Sequence, residues 1–180
     1  LLVPDRRNTN LKLAEMEPGR FTTRGLTRQP VTSAAQVIKC LSEGDKCRTI
    51  RSTDMNDVSS RSHAVLEVCV VRDNTDGSQT MGTLNLVDLA GSESVGKTGA
   101  KGQALEEAKK INQSLSALGN VIKALADGKP HVPYRDSTLT KILMSSLGGN
   151  CRTSLLLAAS PSPDNFAETI STLRFGVRAT

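Results

Sequence analysis

Asn56-Asp57-Val58-Ser59-Ser60-Arg61-Ser62-His63 stands immediately before one apolar run, and Asp88-Leu89-Ala90-Gly91-Ser92-Glu93 ends a second. The first run, Ala64 to Val71, is apolar apart from Glu67, which predicts a strand covered on both faces. Asn74-Thr75-Asp76-Gly77 predicts a turn, and Thr83 to Leu89 predicts the partner strand. Both loops are therefore expected beside buried strands. A loop that senses a terminal phosphate needs a hydroxyl that reaches the phosphate or its metal. It also needs a glycine whose N–H can approach closely. Ser59 and Ser60 supply hydroxyls, and Asp88-x-x-Gly91 supplies the glycine, with Asp88 placed to act on a magnesium shell. Arg61 and Glu93 carry opposite charges, one in each loop, and a salt bridge between them would latch both loops around an attacking water. Each motif alone is common in unrelated proteins. Their order and their adjacency to strands make the pair specific.

Gly91-Ser92-Glu93-Ser94-Val95-Gly96-Lys97-Thr98 also satisfies the P-loop pattern letter for letter. A working P-loop places its lysine and Ser/Thr at the start of a helix whose amides cradle phosphate. Here Thr98 is followed by Gly99-Ala100-Lys101-Gly102. Two glycines in a first helical turn would cost about 1 kcal/mol each relative to alanine. Asp88 at the preceding strand end would also turn a carboxylate toward the phosphates. The match reads as a decoy within a flexible loop.

The bulk properties narrow the partner. The 180 residues begin Leu1-Leu2-Val3, so Leu1 reads as a fragment edge, and the chain is expected to be soluble. Four dispersed cysteines (Cys40, Cys47, Cys69, Cys151) and two histidines (His63, His131) predict free thiols and argue against a zinc site. Net charge is +5. Residues 51–90 hold three basic and six acidic groups, whereas 91–152 hold nine basic and five acidic, so the positive excess follows the second loop. That suits an acidic partner. Phe21, Phe166, Phe175 and Tyr134 are the only aromatics, too few for a base-stacking platform, so nucleic acid is disfavoured and an acidic protein surface favoured.

Elsewhere, Leu11 to Thr32 predicts short strands with a turn at Pro18-Gly19. A helix capped by Thr32 or Ser33 is expected to present Val37, Ile38 and Leu41 on one face and to stop at Gly44, with a further helical stretch over 45–55. The longest helix is expected over Ala104 to Ala126, its apolar stripe being Ala108, Ile111, Leu115, Leu118, Ile122 and Leu125. Lys109, Gln113, Ser116, Asn120 and Lys123 fall opposite, and Glu106 with Lys110 forms an i,i+4 pair. Another helix is expected from Ser137 to Leu147, capped by Asp136 or Ser137 and stopped at Gly148-Gly149. Leu155 to Ala159 predicts a third buried strand, and Asn165 to Arg178 a last helix. Alternating strands and helices indicate an α/β layered fold. Four stretches follow: strands, turns and a helix over 1–55; loops and strand pair over 56–103; helices over 104–152; last strand and helix over 153–180.

Asn56 to His63 resembles switch I of the kinesin motor family, and Asp88 to Glu93 resembles its switch II. Ile111-Asn112-Gln113-Ser114-Leu115-Ser116-Ala117-Leu118-Gly119-Asn120 is similar to the family's switch II helix. His131-Val132-Pro133-Tyr134-Arg135-Asp136-Ser137, Ser146-Leu147-Gly148-Gly149-Asn150 and Ser171-Thr172-Leu173-Arg174-Phe175-Gly176 are similar to its later segments. The resemblance covers nearly the whole chain and is nearest to conventional kinesin heavy chains.

It implies a P-loop NTPase-like, three-layer αβα motor fold, here partial, with the P-loop half preceding Leu1. It implies ATP and magnesium as ligands. Asn56, Ser59, Ser60, Asp88 and Gly91 would bind the nucleotide, with Ser60 and Asp88 acting on the metal. Ser59, Ser60, Arg61, Gly91 and Glu93 would carry the catalysis. Lys97, Lys101, Lys109, Lys123, Arg135 and Lys141 would face a microtubule, with the segment Tyr134 to Lys141 lying against tubulin. Thr138, Lys101 and Ser94 depart from the family's usual residues, which redistributes charge on that face. The parent protein is expected to be a cytoplasmic, microtubule-associated ATPase that dimerises through a stalk outside this chain, and this chain alone is expected to hydrolyse little ATP. The rival readings are a non-motor microtubule-binding module with relic switches and, less favoured, a P-loop NTPase using Lys97.

Overall fold

The structure is a computed structural model that describes residues 11–17, 19–49, 62–92 and 102–179. Strands Lys12–Glu17 (β1) and Arg20–Arg24 (β2) pair antiparallel, and Gly19 closes their turn at φ 82°. Helix α1 spans Ala34–Thr49. Strands Ala64–Asp73 (β3) and Gln79–Asp88 (β4) form a second antiparallel ribbon, in register from Ala64 opposite Asp88 to Asp73 opposite Gln79. Helices Gln103–Ala126 (α2), Thr138–Gly148 (α3) and Phe166–Arg178 (α4) follow, with short 3-10 turns at Tyr134–Asp136 and Pro163–Asn165.

Local chemistry explains the helix starts. Ser33 accepts from Gln36 N–H at 3.3 Å, and Gln36 reaches back to Thr32 N–H at 2.7 Å, so Ser33 caps α1. Helix α3 opens with a full capping box: Thr140 N–H donates to the Ser137 hydroxyl at 3.0 Å, and Ser137 N–H donates to the Thr140 hydroxyl at 3.2 Å. That selects Ser137 over Asp136 as the cap. The Thr140 hydroxyl, fully buried, also donates to Tyr134 O at 2.7 Å.

The core lies among the last three helices. Leu118, Leu139 and Leu143 form its centre, with Leu89, Ile122, Leu147 and Phe175 around them. The most buried residues of α2 are Ala117, Leu118, Val121 and Ala124, so the buried stripe is turned from the expected one toward small residues. Small residues let the helices approach closely: a Cβ on Gly119 would stand 3.6 Å from the Phe175 ring. The end of α3 is equally tight. A Cβ on Gly148 would collide with the Tyr134 hydroxyl, and one on Gly149 would lie 2.6 Å from Ser145 O.

Three expectations need correction. Helix α1 does not stop at Gly44 but runs on to Thr49. Gly44 does not have the positive φ of a helix stop, and a mid-helix glycine costs only about 1 kcal/mol. Val37 is half-buried while Ile38 and Leu41 are exposed, so the expected face is not covered. Strand β3 is not buried on both faces: Val65, Val70 and Val71 are exposed, as are Met81, Leu84 and Leu86 on its partner β4. Leu155 to Ala159 is not a strand. Residues 151–162 carry no regular structure, and Leu156 is 94% exposed.

Candidate functional site

The antiparallel register decides where the two loops go. Ala64 faces Asp88, so His63, just before β3, and Leu89, just after β4, leave the same end of the ribbon side by side. The strands thus bring together the near ends of the two loops that the sequence singles out. Asn56, Ser59, Ser60, Arg61, Glu93, Lys97 and Lys101 lie outside the described residues. Of the nucleotide-side candidates the structure places Asp88, exposed at the strand end, and Gly91, half-buried three residues on.

His63 ties this corner together. Its Nδ1 accepts the Ala90 N–H at 3.0 Å, and its Nε2 lies 2.7 Å from the Ser114 hydroxyl on α2. Burial lowers the His63 pKa, opposed by the negative charge of Asp88. Ala90 is itself buried. His63 closes the first motif, which by itself assigns it no role. A polar residue between a hydroxyl-rich loop and a core strand was the available signal.

Beyond Gly91, Ser92 forms one wall of an open cleft of about 240 Å³, with Ser160, Asn165, Thr169 and Thr172 on the other side. Ser160 organises that wall: its hydroxyl accepts from Ser162 N–H and Asn165 Nδ2, each at 3.2 Å, and its carbonyl accepts from Thr169 at 2.9 Å. Hydroxyls and amides spaced through 160–172 are the sequence signal for this wall. Ala158, Ala159 and Glu168 also line it, so the cleft combines hydroxyls and an amide with one carboxylate. Among the described residues no group of three or more His, Cys, Asp or Glu could hold a metal ion.

The P-loop alternative needs Lys97 and Thr98, which lie outside the described residues. Helix α2 starts at Gln103, after Gly102 at φ 59°, so Lys97-Thr98 do not open it.

The basic candidates are dispersed. Lys109 and Lys123 sit on the exposed side of α2 with Gln113, Ser116 and Asn120, as the periodicity predicts. The ion pair on that helix joins Glu106 to Lys109 at 2.7 Å rather than to Lys110; Lys110 adds a weaker attraction that also lowers the Glu106 pKa. Arg135 is exposed but engaged, donating to both carboxylate oxygens of Glu15 at 3.2 and 2.9 Å. Glu15 also accepts the Gly19 N–H at 3.1 Å, so one carboxylate fastens the β1–β2 turn and docks it on the segment before α3. Lys141 is half-buried. Tyr134, Leu139 and Thr140 are buried, so the segment from Tyr134 to Lys141 cannot offer all its side chains to a partner. Burial also raises the Tyr134 pKa.

Residues 1–180 match the kinesin motor domain model along their whole length. The chain belongs to the kinesin motor domain family. It is 50% identical over 179 residues to kinesin-related protein 5 of Dictyostelium discoideum, covering 99% of this chain and 18% of that protein. It is 54% identical over 181 residues to the kinesin heavy chain of Neurospora crassa, covering 99% and 19%. It is 51% identical over 176 residues to the human kinesin-1 heavy chain, covering 97% and 18%. A solved structure of a fast kinesin superposes with a TM-score of 0.84 at 55% identity, covering 94% of this chain and 49% of that one. The α/β motor fold expected from the sequence is therefore the fold found, and the chain spans about half the solved relative. No helix among the described residues is long and apolar enough to cross a membrane.

Proposed function

We propose that this kinesin-family chain is the switch and track-binding half of an ATP-driven microtubule motor head. The observation that carries the reading is the register of β3 against β4, which brings together the points from which the two candidate loops leave, His63 on one side and Leu89 to Gly91 on the other. Catalysis of phosphoryl transfer rests on positioning and charge stabilisation. Gly91 N–H would hydrogen-bond the terminal phosphate, and Ser59 and Ser60 would contact the phosphate or the metal's water, with Asn56 lining the nucleotide. Asp88 would orient the water shell of magnesium, which when bound neutralises phosphate charge. Arg61 and Glu93 would close on each other and hold the lytic water.

Helix α2 would carry the result to the track. Its exposed Lys109 and Lys123, with Lys97, Lys101, Arg135 and Lys141, would meet the acidic surface of tubulin. The parent protein would act in the cytoplasm on microtubules, as a homodimer joined through a stalk outside these residues. The test is phosphate release from ATP, with and without microtubules, by the full-length protein and by residues 1–180 alone. Microtubule-stimulated turnover by the full-length protein, with little from the chain alone, is expected. Microtubule binding without turnover by the full-length protein would overturn the motor reading in favour of a binding module with relic switches. Robust turnover by the chain alone would restore Lys97 as a phosphate ligand.

A further inference from the structure

His63 stands where three pieces of the molecule meet: the start of β3, the loop after β4 and the middle of α2. The hydrogen bonds around it leave one proton arrangement. Ala90 N–H is a fixed donor, so Nδ1 must accept and carries no proton. The Ser114 hydroxyl donates to Ile111 O at 2.6 Å, so its one proton is committed and it can only accept from the ring. The imidazole is therefore neutral with its proton on Nε2. An imidazolium would turn a donor toward Ala90 N–H, and the other tautomer would break both bonds.

Each end of this bridge matters mechanically. Ala90 directly precedes Gly91, and Leu89 before it packs against Leu118, Leu139 and Leu143. Ser114 lies one turn before Leu118 on the same helix. The loop is thus joined to α2 twice, by apolar packing at Leu89 and by a directional polar link at Ala90. Apolar packing tolerates sliding, whereas two hydrogen bonds through a rigid ring do not.

We infer that His63 is a positioning residue that couples movement of the Ala90–Gly91 loop to helix α2 through a neutral imidazole bridge to Ser114. The mechanical consequence rests on the reading of Gly91 and α2 proposed above; the bridge itself does not.

Two measurements on the full-length protein separate the two. Long-range 15N–1H correlation spectra of the His63 ring near neutral pH are expected to show the proton on Nε2 and none on Nδ1. A protonated Nδ1 overturns the inference whatever the protein does. The second readout is the ratio of microtubule-stimulated to basal ATPase in His63→Asn, Ser114→Ala and the double variant. Asn keeps an acceptor for Ala90 N–H but is too short to reach Ser114. Each single variant is expected to lower the ratio about fivefold or more, the lower end of ordinary coupling between sites, with the melting temperature unchanged. The double variant should be no worse than either single one, because all three break the same link. An unchanged ratio, or losses that simply add, overturns the positioning role. Absence of any turnover overturns the proposed function, and the ring spectrum then decides the bridge alone.

Discussion

The face of α2 that meets α3 and the faces of the β3–β4 ribbon are written in similar apolar residues, yet they end in different environments. On α2, Val121 is fully buried and Ala117, Leu118 and Ala124 nearly so. On the ribbon, Val70, Val71, Met81, Leu84 and Leu86 remain exposed. The helices cover one another, because α2, α3 and α4 follow closely in sequence and pack on their own neighbours. A strand has two faces and two edges, and β3 and β4 satisfy one edge each. An apolar strand thus records burial in a complete sheet, whereas an amphipathic helix needs only a nearby partner. In a family fold of which this chain spans about half the solved relative, the difference separates what these residues complete among themselves from what they leave open.

The contrast between covered and uncovered apolar residues is tested most sharply by truncating leucines of the helical core and Leu156 of the irregular stretch after α3. Leu118→Ala and Leu143→Ala should each cost about 2–5 kcal/mol by thermal or denaturant unfolding. Leu156→Ala, at an exposed site, should stay within about 0.5 kcal/mol. Equal losses would mean that 151–159 is as well packed as the helices. Next in size is Gly148→Ala, whose methyl would meet the Tyr134 hydroxyl. A cost of about 1–3 kcal/mol is expected. Tyr134→Phe in the same chain should recover part of it, and no recovery would show that the hydroxyl is not the obstacle. Thr140→Val then removes the half of the capping box that its hydroxyl makes with Ser137 N–H, together with the bond to Tyr134 O, for about 1–2 kcal/mol. An unchanged midpoint would place the start of α3 under other control.

The gentlest prediction concerns the β1–β2 hairpin. The Gly19 N–H, and after it the Arg135 guanidinium, hold the Glu15 carboxyl below its ordinary range. A lowered carboxylate contributes stability that is present above its unfolded pKa and lost as pH falls through the folded value. Protection of the Gly19 amide against exchange should therefore hold at neutral pH and fade in acid, below the usual carboxylate range. Glu15→Gln should remove that dependence. A Gly19 amide indifferent to both would detach the hairpin from this carboxylate.

These contrasts also show what was legible beforehand. The extent of α2 and its exposed side, the cap regions at Thr32-Ser33 and Asp136-Ser137, the turn at Asn74-Thr75-Asp76-Gly77 and both ribbon strands could be read because each rests on local chemistry, whereas the buried stripe of α2 was set by which helices pack on it. The Leu155–Ala159 strand and the double coverage of β3 could not, because both depend on neighbours distant in sequence. At the candidate site the motifs announced the loops around Asp88 and Gly91. The bridge from Ala90 through His63 to Ser114 spans 51 residues between the ring and the hydroxyl, and no local pattern carries it. Arg135 was legible as an exposed cation, but not as the partner of Glu15, 120 residues earlier.

The most direct test of the functional account is a charge swap across the two loops in the full-length protein, read as microtubule-stimulated phosphate release. Arg61→Glu and Glu93→Arg should each abolish most of the turnover, and the double reversal should restore a measurable part of it. Single reversals that leave turnover intact, or a double reversal that restores nothing, would contradict the closing of Arg61 on Glu93.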